Sequence, residues 1–155
     1  MVRKLKKTRK SQKTAVRKRS DKKDLAAADY EALAHFRYRL RLFIAFADEN
    51  AKKAGLTSQQ YQALLSIKGF SRHQPMFVGE LAKLMLIKHH TTVELVDRMV
   101  KLELLRRTVD ANDNRRVLVT LTKKGLRLLQ KVATVNFRHL GSSSRTLSKL
   151  SGILS

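Results

Sequence analysis

Cysteine is absent from this chain of 155 residues. Its absence excludes thiol catalysis, cysteine redox sensing, thiolate zinc sites and disulfides. The sequence also lacks an apolar run long enough to cross a bilayer. Its charged N-terminus is not followed by the apolar core of a secretory signal. Together these absences favour a cytoplasmic protein with no membrane partner.

Acidic residues are scarce. The chain has 12 aspartates and glutamates against 34 lysines and arginines, which gives a formal net charge of +22 and a pI of about 11.1. Such a balance predicts a polyanionic partner, which could be DNA, RNA or an anionic surface. Hydrophobic residues make up 43% of the chain, enough for a core, and the length fits one domain with or without an arm.

Half of the net charge is concentrated in residues 1–23, which hold twelve lysines and arginines and a single acid, Asp21. Apolar residues there are few and show no period, so we predict a disordered basic arm. Two interpretations stay open. The arm either neutralises phosphates along a nucleic acid, adding affinity without specificity, or serves as a solubilising or targeting tail.

Hydrophobic periodicity beyond the arm predicts a mainly α fold with a small β-hairpin. A fifth helix begins near Thr122, and a break at Gly141–Ser144 precedes a short sixth helix. Asp24 or Asp29 is expected to cap the first helix and Thr57, with Gln60, the second. The other predicted helices span 24–54, 58–67, 79–85 and 88–102, with a loop at 69–75, a short strand at 76–78, and hairpin strands at 105–109 and 116–121.

The helix predicted over 88–102 carries the most informative side chains. One face, comprising Thr92, Leu95, Val96, Met99 and Leu102, can enter the core. The remaining positions offer hydrogen-bonding groups near the helix N-terminus, where a recognition helix contacts base edges. Facing DNA, Glu94 would serve mainly as an acceptor for a cytosine amino group. An ordinary solvated amphipathic helix is the alternative. The outward candidates are Lys88, His89, His90, Thr91, Glu94, Arg98 and Lys101.

His89 and His90 do not predict a metal site, because adjacent helical residues point about 100° apart and no third ligand stands at a useful spacing. Paired carboxylates, a nucleophile elbow, a phosphate-binding loop and a metal cluster are all missing from the sequence. We therefore expect neither an enzyme nor a bound cofactor.

The hairpin turn, residues 110–114, is rich in turn-forming residues and is followed by Arg115 and Arg116. An exposed arginine here can enter a minor groove, or it can pair with Asp110 or Asp113 and stiffen the turn. Since neighbouring strand residues point to opposite sides, we expect Arg115 to be structural and Arg116 to face DNA. Asn112 and Asn114 complete the candidate contacts of this turn.

These motifs resemble the MarR family of winged-helix transcription regulators over residues 25–155. The resemblance is carried by Gly55-Leu-Thr-Ser-Gln-Gln-Tyr-Gln-Ala-Leu-Leu65, Glu80-Leu-Ala82, Thr91-Thr-Val-Glu-Leu-Val-Asp-Arg-Met99, Asp110-Ala-Asn-Asp-Asn-Arg115 and Leu121-Thr-Lys-Lys-Gly125. Two positions depart from the family pattern. Glu103-Leu104 stands where a glycine is common, and Asn112 stands where many members have an arginine.

The resemblance implies a homodimer that reads a palindromic operator in double-stranded DNA. Residues 24–54 and 122–155 would form the dimerisation stem, and residues 56–121 the DNA-binding winged helix. It also implies a small aromatic acid or phenol bound between stem and winged domain, which would release a repressor from DNA. Tyr30, His35, Arg39 and Tyr61 are candidate effector contacts from the first two helices.

Two functions are therefore carried forward. One is a sequence-specific dimeric regulator that acts as a repressor at the nucleoid. The other is a non-specific architectural DNA or RNA binder dominated by its basic arm. A specific regulator should favour its operator over random DNA by about 10³-fold or more at physiological salt, whereas an architectural binder should not.

Overall fold

A computed structural model describes residues 25–71, 74–111, 113 and 116–151, with the side chains of 142–151 excepted. The predicted basic arm, 1–23, lies outside the described residues. Within them the chain forms five helices and three strands. These are α1 (Ala27–Lys53), α2 (Ser58–Phe70), β1 (Met76–Phe77), α3 (Val78–Met85), α4 (His89–Lys101), β2 (Leu105–Val109), β3 (Val117–Leu121) and α5 (Lys123–Ser151).

The three strands form one antiparallel sheet in the order β1-β3-β2. Leu105 pairs with Leu121 and Val109 with Val117, so β2 and β3 make the predicted hairpin. Met76 pairs with Val119, which attaches β1 to the other edge of β3. The mainly α fold with a β-hairpin wing is confirmed.

The core lies where the helices α2 to α5 meet the sheet. Its fully buried side chains interdigitate from every one of these elements, so the wing and the helices share one apolar centre. The largest of them are Leu64, Leu81, Val96, Met99, Leu105, Val119 and Val132.

Helix α5 runs without interruption from Lys123 to Ser151. The predicted break at Gly141–Ser144 and the separate sixth helix are therefore wrong as far as Ser151. Gly141 lies inside the helix, and a Cβ built on it would meet no atom within 4 Å. Glycine costs a helix only about 1 kcal/mol relative to alanine, which a long packed helix tolerates. Helix α2 likewise extends to Phe70, into the predicted loop.

Local capping explains most helix ends. Thr57 and Gln60 form the predicted reciprocal capping box, with bonds of 2.9 and 3.2 Å. Gly55 adopts a left-handed φ of 80° after α1, which fits the predicted C-terminal cap. The predicted cap of α1 is confirmed in part, because Asp29 contributes from the third helical position and not as the N-cap, and Asp24 lies outside the described residues. Ala26 occupies the N-cap position, and Asp29 accepts a hydrogen bond from the Ala26 amide at 2.8 Å.

The first turn of α5 is fastened to the turn between α4 and β2. Thr122 Oγ1 accepts a hydrogen bond from the Gly125 amide at 3.0 Å. The Thr122 hydroxyl lies 3.2 Å from the Leu104 carbonyl oxygen, and the Thr122 amide donates to the same oxygen at 3.1 Å. A Cβ on Gly125 would lie only 2.1 Å from that oxygen. The glycine of the Leu-Thr-x-x-Gly motif is therefore needed because the backbone of α5 lies against the backbone of Leu104.

Glu103, in the same turn, adopts a left-handed φ of 57°, and it belongs to the Glu103-Leu104 pair that stands where a glycine is common in the resembling family. A residue with a side chain pays about 1–2 kcal/mol for this conformation, and glycine avoids that cost. Part of the gain is lost because glycine has more conformational freedom in the unfolded chain. The glutamate side chain is exposed and reaches Lys124 at only 3.5 Å. We expect Glu103→Gly to raise the free energy of unfolding by up to about 1 kcal/mol in urea titrations. A decrease would contradict this account of the turn.

The C-terminal part of helix α1 packs on α5, where Ala47 and Ala51 are buried and Asn50 bonds to Asn136. The part of α1 before Ala47 leaves large apolar side chains uncovered. Leu33 is 54% exposed, Leu40 47% and Ile44 48%. These three share one face of the helix, and the exposed face continues through Phe36. We name Leu33, Phe36, Leu40 and Ile44 the stem face.

Candidate nucleic-acid interface

Helices α3 and α4 form a helix-turn-helix with a tight turn. Leu86 ends α3 in a left-handed conformation with φ of 55°, and the Ile87 amide donates to the Ala82 carbonyl at 3.2 Å. Lys88 follows as the N-cap of α4, with extended backbone. The turn thus fixes where α4 begins and which side chains stand at its N-terminus.

Helix α4 buries Thr92, Leu95, Val96 and Met99, as its periodicity predicts. Leu102, which was expected to share this face, is 48% exposed because it forms the C-cap, where the helix ends. The buried Thr92 hydroxyl donates to the Lys88 carbonyl oxygen at 3.1 Å, which ties the inner face to the first turn.

The opposite face of α4 holds the predicted base-reading residues. Thr91 is half-buried, whereas the others are exposed to solvent. All but Arg98, which lies in the third turn, share the N-terminal two turns of one helix, a placement that a major groove can accept. The exposed members are Lys88, His89, His90, Glu94 and Arg98.

A salt bridge that the sequence analysis missed holds α4 against the wing. Arg107 Nη1 on β2 donates to Asp97 Oδ1 on α4 at 2.6 Å. Both side chains are partly exposed, so the pair matters more for orientation than for stability. The sequence does not predict this pair, because Asp97 and Arg107 are ten residues apart and meet only when the hairpin folds back on α4.

Arg116 lies at the base of the wing. Its guanidinium carbon stands 4.0 Å from the centroid of the Phe77 ring, a cation–π contact. A cleft of about 410 Å³ opens beside this pair, between the start of α4 and the strands. Glu80, Lys83, His89, Arg107 and Arg116 are among its lining residues. The cleft therefore joins the first turn of α4 to the wing, and its lining holds the cations Lys83, Arg107 and Arg116 together with the acids Glu80 and Asp97.

The three remaining predicted wing contacts, Asn112, Asn114 and Arg115, lie outside the described residues. Asp110 bonds through its amide to the Arg116 carbonyl at 2.9 Å, which closes the base of the turn. Among the residues that the structure describes, no three histidines or carboxylates come together as a possible metal site.

A second feature lies between the stem and the winged helix. A groove of about 540 Å³ runs between α1, α2 and α5, with Phe43, Tyr61, Leu65, Phe137 and Arg138 in its walls. A buried polar chain passes beside it. Asn50 Nδ2 donates to Asn136 Oδ1 at 2.9 Å, and Asn136 Nδ2 donates to the Tyr61 hydroxyl at 3.0 Å. This chain links α1, α5 and α2 in one hydrogen-bonded path.

Of the predicted effector contacts, Tyr61 lies in this groove. Tyr30, His35 and Arg39 do not; they sit on the exposed N-terminal half of α1. Arg138 was not anticipated. Only the packing of α5 against α1 and α2 places it beside the groove, and that long-range contact leaves no local signature in the sequence.

The fold and this interface are those of a winged helix-turn-helix protein. Residues 54–116 match the model of the MarR family. This match confirms the predicted resemblance to the family over residues 54–116.

A relative from Bacillus subtilis, the uncharacterized HTH-type transcriptional regulator YsmB, is 40% identical over 65 residues. Those residues make up 42% of this chain and 44% of YsmB, so the match spans less than half of the relative.

Two solved structures share the fold. AbsC, a MarR family transcriptional regulator from Streptomyces coelicolor, superposes with a TM-score of 0.69 at 22% identity, covering 84% of this chain and 92% of its own. MepR from S. aureus in complex with DNA gives 0.56 at 22% identity, covering 78% of this chain and 96% of its own.

No helix within the described residues is both long and apolar enough to pass through a membrane.

Proposed function

We propose that this protein is a sequence-specific DNA-binding transcription regulator that acts as a repressor at the nucleoid. The observation that carries the proposal is the outer face of α4, which presents Lys88, His90, Thr91 and Glu94 beside a basic wing. A buried inner face and the Asp97–Arg107 salt bridge hold this surface in one orientation. The likeness to DNA-bound MepR supports duplex DNA as the partner.

We further propose that the protein works as a homodimer through its stem, formed by α1 and α5. The stem face exposes several large apolar side chains next to one another, which a single chain leaves uncovered. Phe137 on α5 is 76% exposed and adds to the uncovered apolar surface of the stem. A twofold dimer would present two α4 helices to a palindromic operator, with half-site centres about 34–36 Å apart.

Base reading is tested at the N-terminus of α4. Replacing His90 or Thr91 with alanine removes a side chain that can contact a base edge, and a good contact contributes about 1–3 kcal/mol of discrimination. We expect each variant to lose operator preference by roughly that amount, measured as the ratio of operator to random-duplex affinity. Gln62→Ala, at an exposed position of α2, is the control. If both variants kept wild-type discrimination, this face would not be the reading surface.

The groove between stem and winged helix is our proposed effector site. Its volume is that of a small-molecule pocket, and aromatic walls beside Arg138 suit an aromatic acid or a phenol. A ligand bound there would press on Tyr61 and Asn136, which connect the stem to α2, and would so alter the spacing of the two recognition helices. Repressor release would follow from that change.

Benzoate and phenol serve as probes in thermal-shift assays. A ligand at 100 times its dissociation constant stabilises the folded state by about 2.7 kcal/mol. We expect both probes to raise the melting temperature and to weaken DNA binding. Arg138→Gln should diminish the benzoate response and leave the phenol response intact, whereas the control Lys52→Gln should alter neither. A uniformly negative screen would contradict the effector proposal and favour a constitutive binder.

A further inference from the structure

A line of cations follows the solvent side of α5. Lys124, Arg127, Lys131 and Arg138 fall within an arc of about 60° when the helix is viewed along its axis. All four are exposed, and Arg138, at the far end, also stands in the wall of the groove. The opposite side of the helix carries the buried Leu129 and Val132. We name these four cations the α5 ridge.

The ridge has a single sign of charge over its length. No aspartate or glutamate follows Asp113 in the sequence, so α5 contains no acid to neutralise its own cations. Lys124 is the exception in being anchored, since its Nζ donates to the Leu102 carbonyl at 2.9 Å and lies 3.5 Å from Glu103. An ordinary solvated helix face alternates charges of both signs, and this one does not.

The ridge stands well away from the base-reading end of α4. Lys124 contacts the C-terminal end of α4, and the thirteen residues of that helix span about 20 Å. We expect the duplex read by the N-terminus of α4 to reach the ridge only by bending. A bend of 40–90° within 20–30 base pairs costs on the order of 1–6 kcal/mol, whereas a separate duplex meets the ridge without that cost.

We propose that the α5 ridge is a second, sequence-independent binding surface for the phosphate backbone of a separate DNA duplex. Successive side chains at Arg127 and Lys131 are about 6 Å apart along the helix axis, close to the axial rise of two phosphates on one strand. The protein can thereby bridge two duplexes while α4 occupies the first. This goes beyond operator recognition, since it requires no base contact at the ridge.

A two-duplex capture assay tests the proposal on the full chain. A random-sequence duplex is immobilised sparsely, so that one protein cannot reach two immobilised copies. Protein is bound, the unbound excess is washed away, and a second fluorescent duplex is then added. The wild type should capture the second duplex. The double variant Arg127→Gln/Lys131→Gln loses two phosphate contacts, each of which contributes about −0.9 to the slope of log affinity against log salt. We expect it to capture the second duplex on the order of 30-fold less tightly than the wild type at 0.15 M salt.

Two controls separate the ridge from bulk charge. Lys52→Gln/Lys68→Gln removes the same charge from exposed positions on α1 and α2 and should capture like the wild type. Arg127→Lys keeps the charge and should do the same. An equal loss of capture in the Lys52/Lys68 variant would overturn the proposal. Undiminished capture by the ridge variant would also overturn it and would assign capture to the basic arm. Wild-type protein that binds the first duplex but captures no second one would also overturn it.

Binding to the first duplex is recorded separately in each case. Failure there would count against the proposed DNA-binding function, whereas failure confined to the second duplex counts against the ridge alone.

Discussion

Gly125→Ala should destabilise the protein by roughly 2–3 kcal/mol or more. The new methyl group would lie 2.1 Å from the Leu104 carbonyl oxygen and 3.0 Å from its carbon, both backbone atoms with little freedom to move. Overpacking of this kind typically costs about 1–3 kcal/mol. Relief by movement would also disturb the bonds that Thr122 makes to Leu104. Urea unfolding at one fixed protein concentration measures the effect, because a dimer's stability depends on concentration.

Gly141→Ala is the matched control, since both glycines lie in α5 and the new Cβ at 141 would meet nothing within 4 Å. Alanine favours the helix by up to about 1 kcal/mol over glycine, so this variant should be as stable as the wild type or more so. A loss of stability at Gly141 would contradict the continuous α5. An unchanged stability at Gly125 would contradict the close approach of the two backbones.

Leu40→Glu should break the proposed dimer and thereby abolish tight operator binding. A carboxylate in the middle of the stem face would be buried against the partner without a counter-charge, which apolar interfaces do not tolerate. Because two linked recognition helices bind far more tightly than one, a monomer should lose affinity for a palindromic site on the order of 10²-fold. Light scattering and DNA titration on the same sample measure both effects.

Gln62→Glu introduces the same charge at an exposed position of α2 and should leave assembly intact. A monomeric wild type at micromolar concentration would contradict the dimer proposal directly. A Leu40→Glu variant that remained dimeric would place the interface elsewhere on the molecule.

Local patterns in the sequence predict much of the secondary structure. The Thr57–Gln60 capping box and the inner face of α4 depend on neighbours three or four residues away, so periodicity located them correctly. The continuity of α5 could not be read in the same way. Gly141 and the serines after it favour a break locally, and only the packed helix as a whole overrides that preference.

The candidate site shows the same division. The helix-turn-helix positions of Lys88 to Arg98 follow from sequence order and helical geometry. The Asp97–Arg107 salt bridge and the place of Arg138 in the groove depend on contacts between distant segments, which composition and spacing do not encode. Arg116 was expected to face DNA. Its contact with Phe77 places it at the base of the wing, and its role in binding the DNA minor groove remains a prediction.

Sequence-specific recognition is the central claim, and a comparison of operator with random DNA tests it most directly. Genomic footprinting with the full chain would identify the bound sites, and titration at physiological salt would compare one such site with a scrambled duplex of equal length. We predict a palindromic site preferred by about 10³-fold or more. Affinities that agree within a few-fold, with no shared palindrome among the footprints, would contradict the claim and favour a non-specific architectural binder.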